Sequence, residues 1–270
     1  MPEGHTLHRL ARRFRAQMGG RRVRASSPQG RFVEGAALLD GAVLVRTEAH
    51  GKQLFLGFSR DGGRPELWLR VHLGLYGAWT FGDLGPEGEP PEPRGAVRLR
   101  LVGDDVYADL RGPTRCEVVT TAEKSVVHER LGVDPLARRP DPAPFLARVG
   151  RSSAPIGTLL MDQSVVAGVG NVYRAESLFR AGLSPFVPGR ELPAHVVQAL
   201  WDDVVRLMRD GLRRGRIITV DPSERPRRPG PDDAFYVYRR AGLPCRRCGT
   251  TVARREVGGR NLYWCPTCQA

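Results

Sequence analysis

The sequence predicts a multidomain α+β protein, and three observations carry that expectation. Eight short β-prone runs separated by turn residues follow one amphipathic helix, at the spacing of an antiparallel sandwich or barrel. Beyond about residue 122 the hydrophobic period becomes helical. Near the C-terminus Cys245, Cys248, Cys265 and Cys268 spell C-x2-C-x16-C-x2-C, a spacing that reads as tetrahedral zinc rather than as disulfides.

The first helix is predicted over residues 6–18, where Leu7, Leu10, Ala11, Phe14 and Met18 make one apolar face among arginines. The runs VRASSP, AVLVRTEAH, QLFLGFS, ELWLRVHL, GAWTFGD, AVRLRLVG, DVYADL and CEVVTT read as strands. GPEGEPPEPRG (85–95) reads as an acidic, proline-rich loop between two of them. The proline-rich stretch 131–145 reads as a domain boundary, and helical patterns follow over 142–149, 155–163, 171–181 and 193–214. DPSERPRRPGPDD (221–233) carries too much proline and charge to pack. It is either a plain linker or a loop whose Arg225, Arg227 and Arg228 meet phosphate. The terminal module reads as two cysteine knuckles around a β-hairpin whose Gly258-Gly259 turn delivers Arg260.

Composition narrows the class of partner. With 41% hydrophobic and 26% charged residues in 270, the chain is globular and long enough for more than one domain. No apolar stretch has the length of a membrane span and no secretory leader is evident, so cytoplasm is the expected compartment. The formal net charge of +13 makes a polyanion the first partner to consider. Only Lys52 and Lys124 among 42 basic residues are lysines, so part of the excess reflects an arginine-biased coding sequence. Four thiolates would close the zinc shell, which makes that metal structural, and no catalytic metal is expected. Cys116 reads as a small buried hydrophobe.

Several stretches could carry chemistry. In MPEGHTLHRL, Pro2 and Glu3 suit a helix start. Removal of Met1 would equally expose Pro2 as a secondary amine, a potential nucleophile, and about a tenth of an ordinary α-amino group is neutral at pH 7. HGKQLFLGF places Lys52 at a strand start, where it is either solvated or a proton-exchanging group of a kind arginine cannot supply. HLGLYG presents Leu75 and Tyr76 either to the sandwich core or on an exposed turn able to wedge into a base stack. In DQSVVAGVGNVYRAESLF, Gly168 and Gly170 precede a helix with Asn171 as its expected N-cap, a setting that suits an anion.

Taken in order, PEG, HGK, HLGLYG, LMDQSVVAGVGNVYRAESLF and GRNLYWCPTCQ resemble the formamidopyrimidine-DNA glycosylase/endonuclease VIII family over nearly the whole chain. PEGHTLHRLARR, SSPQGRF, DLRGPT and YVYRRAG look closest to the second endonuclease VIII branch of actinobacteria. The resemblance implies an N-terminal β-sandwich catalytic domain over 2–132, a helix–two-turn–helix DNA-binding domain over 142–233 and a zinc finger over 234–270. It implies a bifunctional DNA glycosylase/AP lyase of base excision repair, monomeric and associated with the bacterial nucleoid. The implied substrate is damaged DNA, as duplex, single strand or bubble.

Carried over by motif, Pro2 becomes the Schiff-base nucleophile and Glu3 the general acid, with Lys52 a phosphate contact and proton donor in β-elimination. Asn171 and Arg260 would grip the phosphates flanking the lesion. Arg260 is conventionally also the δ-elimination donor, although a guanidinium is a poor acid and clamping suits it better. Leu75 and Tyr76 match the void-filling wedge. Two departures stand out: Thr6 replaces a second acidic residue, and DLRGPTRC offers Arg111 to DNA without the phenylalanine of the purine-directed branch. The first removes a helper carboxylate and leaves the choice of base open, and the second turns the expectation toward oxidised pyrimidines. The alternatives are a non-catalytic zinc-containing protein that binds damaged DNA, and a purine-directed enzyme for 8-oxoguanine or formamidopyrimidine.

Overall fold

The computed structural model describes residues 2–225 and 230–270, and these divide into two units, up to Arg130 and from Leu131 onward. In the first unit α1 (Gly4–Met18) is followed by β1 (Arg24–Ser26), α2 (Val33–Leu39), β2 (Val43–His50), β3 (Gln53–Ser59) and β4 (Leu67–His72). Then come β5 (Ala78–Asp83), β6 (Val97–Val102), β7 (Val106–Arg111), β8 (Arg115–Thr120) and α3 (Thr121–Glu129). The strands form two antiparallel four-stranded sheets, ordered β1-β6-β7-β5 and β2-β3-β4-β8. All eight strand-like runs are therefore strands, and the acidic 85–95 stretch is the loop between β5 and β6.

Register explains how one core serves both sheets. Leu54 faces Val71 and Leu56 faces Leu69 on one sheet, while Leu99 faces Leu110 and Leu101 faces Ala108 on the other. These residues form a single buried cluster that also takes Leu7, Phe14 and Met18 of α1. Alternate residues from two separate sheets and a helical stripe meeting in one cluster define a sandwich rather than a barrel. Phe14 sets its ring against Trp79 (centroids 4.8 Å, near-perpendicular), which ties α1 to β5. On the outer face of the second sheet Phe55, Trp68 and Val119 pack under α3. Lys124 of α3 lies over the Trp68 ring at 3.7 Å and pairs with Glu48, so one of the two lysines is structural.

The second unit holds α4 (Ala143–Gly150), α5 (Ile156–Leu159), α6 (Asn171–Arg180), α7 (Ala194–Arg214) and the hairpin β9 (Ala253–Val257) with β10 (Arg260–Trp264). The helix expected over 155–163 is a single turn, because the chain folds back at Asp162, whose carboxylate takes the Ser164 N–H at 2.8 Å. Phe145, Tyr173, Leu178, Leu200, Trp201 and Met208 are part of the helical core. The expected linker residues 132–133 pack onto this unit: Val133 bridges Val166, and Gly132 lies so close that a Cβ would meet the Val165 carbonyl at 2.5 Å. A second cluster joins Val172, Ala175 and Phe179 of α6 to Tyr236, Tyr238, Tyr263 and Cys265, so the cysteine module shares a core with α6. Among the described residues no helix is long and apolar enough to cross a membrane.

Candidate functional site

In the first unit the helix starts two residues later than a proline-first helix would. Gly4 is the first helical residue, Glu3 is the N-cap with extended backbone, and Pro2 lies outside the helix, half-buried. Pro2 therefore does not serve as the first residue of α1, which removes the plain helix-start explanation for it. Glu3 is fully buried, and its carbonyl accepts the Thr6 N–H at 2.9 Å. A buried carboxyl beside the chain terminus is costly to keep and suits proton transfer. His5, also buried, is held down at a pKa of about 4, chiefly by burial, and so stays neutral.

Lys52 occupies the two-residue turn between β2 and β3, preceded by Gly51 at φ 55°, the pattern of a type II′ hairpin. His50 pairs with Gln53 across that turn, and Gln53 pairs with His72 of β4, so Lys52 stands at the same sheet end as His72. Burial, then the Lys52, Arg70 and Arg115 charges, lower the His72 pKa and favour the neutral ring. The Gly74 N–H donates to His72 Nδ1 at 3.0 Å, so Nδ1 is an acceptor and the ring proton sits on Nε2. Thr114 completes a clasp: its N–H donates to the His72 carbonyl at 3.0 Å, and its hydroxyl lies within hydrogen-bond reach of both His72 Nδ1 (2.9 Å) and that carbonyl (3.1 Å).

That clasp fixes the loop carrying Leu75 and Tyr76. Gly74 takes φ 65° with a Cβ position only 2.4 Å from Thr114 Cγ2, and Gly77 N–H closes the loop onto the Leu73 carbonyl. Tyr76 is 89% exposed and Leu75 39%, so neither belongs to the sandwich core. Arg111 is committed elsewhere. Its guanidinium donates to Asp109 (2.9 Å), the Thr80 hydroxyl (2.6 Å) and the Arg94 carbonyl (2.9 Å), which makes it a brace of the sheet rather than an open DNA contact. Asp109 in turn holds the buried Arg100 in a bidentate pair at 2.7 and 2.9 Å.

In the second unit the N-cap of α6 is Gly170, not Asn171. Asn171 is the first helical residue, buried, and its amide nitrogen donates to the Asn261 carbonyl at 2.9 Å while its oxygen accepts from Arg174. One amide proton of Asn171 is thereby spent on β10, next to Arg260. Gly168 takes φ 97°, and Gln163 laces this turn by accepting the Gly168 N–H and donating to the Met161 and Val169 carbonyls. Gly258 and Gly259, at φ 58° and 69°, make the two-residue turn between β9 and β10, in the pattern of a type I′ hairpin. Arg260 follows immediately, half-buried and paired through its backbone with Val257, and its side chain makes no hydrogen bond or ion pair among the described residues. Arg225 is folded back onto the Val220 carbonyl at 2.7 Å, and Arg227 and Arg228 lie outside the described residues.

The four cysteines converge: their Sγ atoms lie within 4.8 Å of one another, with Cys245–Cys268 at 3.9 Å and Cys248–Cys265 at 3.4 Å. Zn–S bonds of about 2.3 Å in a tetrahedron place sulfurs about 3.8 Å apart, so the set fits zinc. Backbone N–H groups of Arg247 and Cys268 approach Cys245 and Cys265 Sγ at 3.4 Å, as suits thiolates. Gln269 seats the module, accepting the Cys265 N–H and donating to the Leu183 carbonyl, both at 2.9 Å. Cys116, half-buried with its thiol pushed up to about 12 by burial, is chemically inert.

Sequence reasoning missed two features here. Glu176, fully buried on α6, accepts the N–H groups of Tyr236, Val237 and Tyr238 at 2.8, 2.9 and 2.8 Å and the Thr219 hydroxyl. No periodicity marks it, because charged residues at helical positions normally face water. The capping box of α3, Thr120 with Glu123, was legible as T-x-x-E.

Comparison with known proteins agrees with this architecture. Residues 1–116 match the formamidopyrimidine-DNA glycosylase N-terminal domain, 131–223 the formamidopyrimidine-DNA glycosylase H2TH domain, and 242–270 the zinc finger found in FPG and IleRS. Endonuclease 8 1 of Mycobacterium tuberculosis is 49% identical over 272 residues, covering all of both chains. Formamidopyrimidine-DNA glycosylase of Thermus thermophilus is 32% identical over 279 residues, covering all of this chain and 98% of that one. Lactococcus lactis Fpg in complex with DNA containing an abasic site superposes with a TM-score of 0.80 over 99% of each chain at 21% identity, a likeness of fold. The mycobacterial relative carries the number 1, not 2, so identity establishes the family rather than the branch suggested by the motifs. The chain belongs to the formamidopyrimidine-DNA glycosylase/endonuclease VIII family of DNA glycosylase/AP lyase enzymes.

Proposed function

We propose that this enzyme excises oxidised pyrimidines from DNA through a Schiff base on Pro2 and then cleaves the strand by β- and δ-elimination. The observation that carries the reading is the start of α1, where Pro2 lies outside the helix beside a completely buried Glu3. Once Met1 is removed, the neutral ring nitrogen attacks C1′ of the damaged nucleotide. The glycosidic bond breaks with its electron pair going to the base, which leaves with the amine proton. Glu3 protonates the sugar ring oxygen as the ring opens, and C1′ and nitrogen are left as an iminium. Because proline is a secondary amine that iminium is cationic, which acidifies the 2′ proton. Loss of that proton expels the 3′ phosphate, and a second elimination releases the 5′ phosphate.

Lys52, in a tight turn at the sheet end, serves as phosphate contact and proton donor. Asn171 and Arg260 hold the phosphates around the lesion, Arg260 as a clamp with open donors. Leu75 and Tyr76 fill the space left by the extruded nucleotide. Arg111 is left out of this set because Asp109, Thr80 and Arg94 occupy it. Zinc, held by Cys245, Cys248, Cys265 and Cys268, keeps the Arg260 hairpin in place and takes no part in the chemistry. The absence of a phenylalanine near Arg111 favours pyrimidine over purine lesions, as does similarity to an enzyme named Endonuclease 8 1. The monomer acts on its DNA in the bacterial cytoplasm.

Borohydride reduction in the presence of DNA with an abasic site tests the nucleophile. The wild type gives a covalent adduct, while Pro2→Ala and a form retaining Met1 give none. An undiminished adduct from Pro2→Ala removes Pro2 from the mechanism. Base release from oligonucleotides carrying thymine glycol or 8-oxoguanine decides the substrate class, and faster release of 8-oxoguanine overturns the pyrimidine assignment.

A further inference from the structure

We propose that Arg239 is a further DNA-binding residue, a guanidinium presented to a backbone phosphate by a turn that would favour glycine. Arg240 N–H donates to the Val237 carbonyl at 3.0 Å, closing a turn whose two central residues are Tyr238 and Arg239. Arg239 takes φ 57°, the one positive φ among non-glycine residues in the described chain, and Tyr238 does not share it, as in a type II turn. The second central position of such a turn suits glycine, because any L side chain is strained there. A residue with a long, rotamer-rich side chain kept at a strained position points to a task for that side chain.

The surroundings hold the strain in place. The N–H groups of the three preceding residues all converge on the Glu176 carboxylate, which the Thr219 hydroxyl also meets. Tyr236 and Val237 are fully buried, so the backbone entering the turn cannot relax. The two neighbouring arginines then divide. Arg240 is spent internally, donating to the Tyr236 carbonyl at 2.6 Å and the Pro244 carbonyl at 3.0 Å. Arg239 is exposed, holds its guanidinium 5.5 Å from the centroid of the Tyr238 ring, and makes no hydrogen bond or ion pair among the described residues.

Position indicates the ligand. Tyr238 packs against Tyr263 of β10 at 5.5 Å and lies in one cluster with Val172 of α6. Those are the two elements that begin with Arg260 and Asn171, so Arg239 is a third polar donor on the same framework. A planar guanidinium with open donors, on a chain of net charge +13, matches a phosphodiester oxygen. The inference rests on the DNA-binding reading above.

The test measures binding of the full-length, zinc-loaded protein to a duplex with a reduced abasic site, by fluorescence anisotropy across about 50–200 mM salt. Arg239→Gly is expected to bind roughly 3- to 10-fold more weakly at the low end, with the slope of log affinity against log salt shallower by about 0.9. Its melting temperature should match or exceed the wild type, because glycine relieves the turn. Arg239→Ala should lose the same affinity without that gain, and Arg239→Lys should keep most of the slope. Wild-type affinity and slope in Arg239→Gly overturn the proposal. Absence of salt-dependent binding in the wild type would sink the DNA reading itself, so the two failures are distinguishable.

Discussion

At the scale of single residues, the buried polar groups near the start of the chain have a measurable consequence. His5 titrates at about 4 in the folded protein against 6.5 ordinarily, so between those values the unfolded chain binds the extra proton and the native one does not. Stability therefore rises with pH from about 4 to about 6.5, and falls as pH drops through that window. Thermal melts across that window should show the fall in the wild type and a flatter profile in His5→Asn; equal pH slopes in both proteins would remove His5 as the cause. Phe14 offers a second residue-scale test, being fully buried between Trp79 and Phe81. Phe14→Ala should cost about 3–5 kcal/mol by leaving a cavity, read as a shift in the denaturant midpoint of the first unit.

At the scale of elements, two turns do what their side chains alone could not. The Gly258-Gly259 hairpin presents Arg260 because both residues take positive φ. Gly259→Ala has open space for its methyl but not the conformation, so it should cost about 1 kcal/mol and weaken DNA binding together. Unchanged affinity in that variant would show that Arg260 does not depend on the turn. The loop bearing Leu75 and Tyr76 is preset by the His72–Thr114 clasp. Thr114→Val keeps the shape and removes the hydroxyl. It should cost about 1 kcal/mol and slow excision of an intact damaged base more than lyase action on an abasic site, because only the former requires extrusion of the base. Equal loss on both substrates would separate the clasp from lesion recognition.

At the scale of the whole molecule, the zinc module is not an appendage. Cys245, Cys265 and Tyr263 share a core with Val172 and Phe179 of α6, and Glu176 binds the chain that leads into the module. Chelating the metal should therefore loosen the start of α6 as well as the hairpin. Hydrogen exchange should accelerate in residues 171–180 and 236–268 together, with loss of DNA binding, while the first unit keeps its protection. Protection of α6 that survives chelation would show the shared core to be energetically separate.

The sandwich strands, the four zinc ligands and the order of the chemistry-bearing motifs were legible in the chain itself, because each is written in local spacing. Turn residues bounding a short β-prone run marked QLFLGFS as β3 residue for residue, and paired C-x2-C spacing named the metal set. What periodicity cannot express is which partner a polar group finds across the fold. Only the tertiary structure decided that Arg111 braces Asp109, that Asn171 is the first residue of α6 and reaches Asn261, that Tyr76 stands in solvent, and that Glu176 gathers three backbone N–H groups 60 to 62 residues away in sequence. Hydrogen bonds of buried polar atoms are satisfied by long-range geometry, and local sequence carries no record of it.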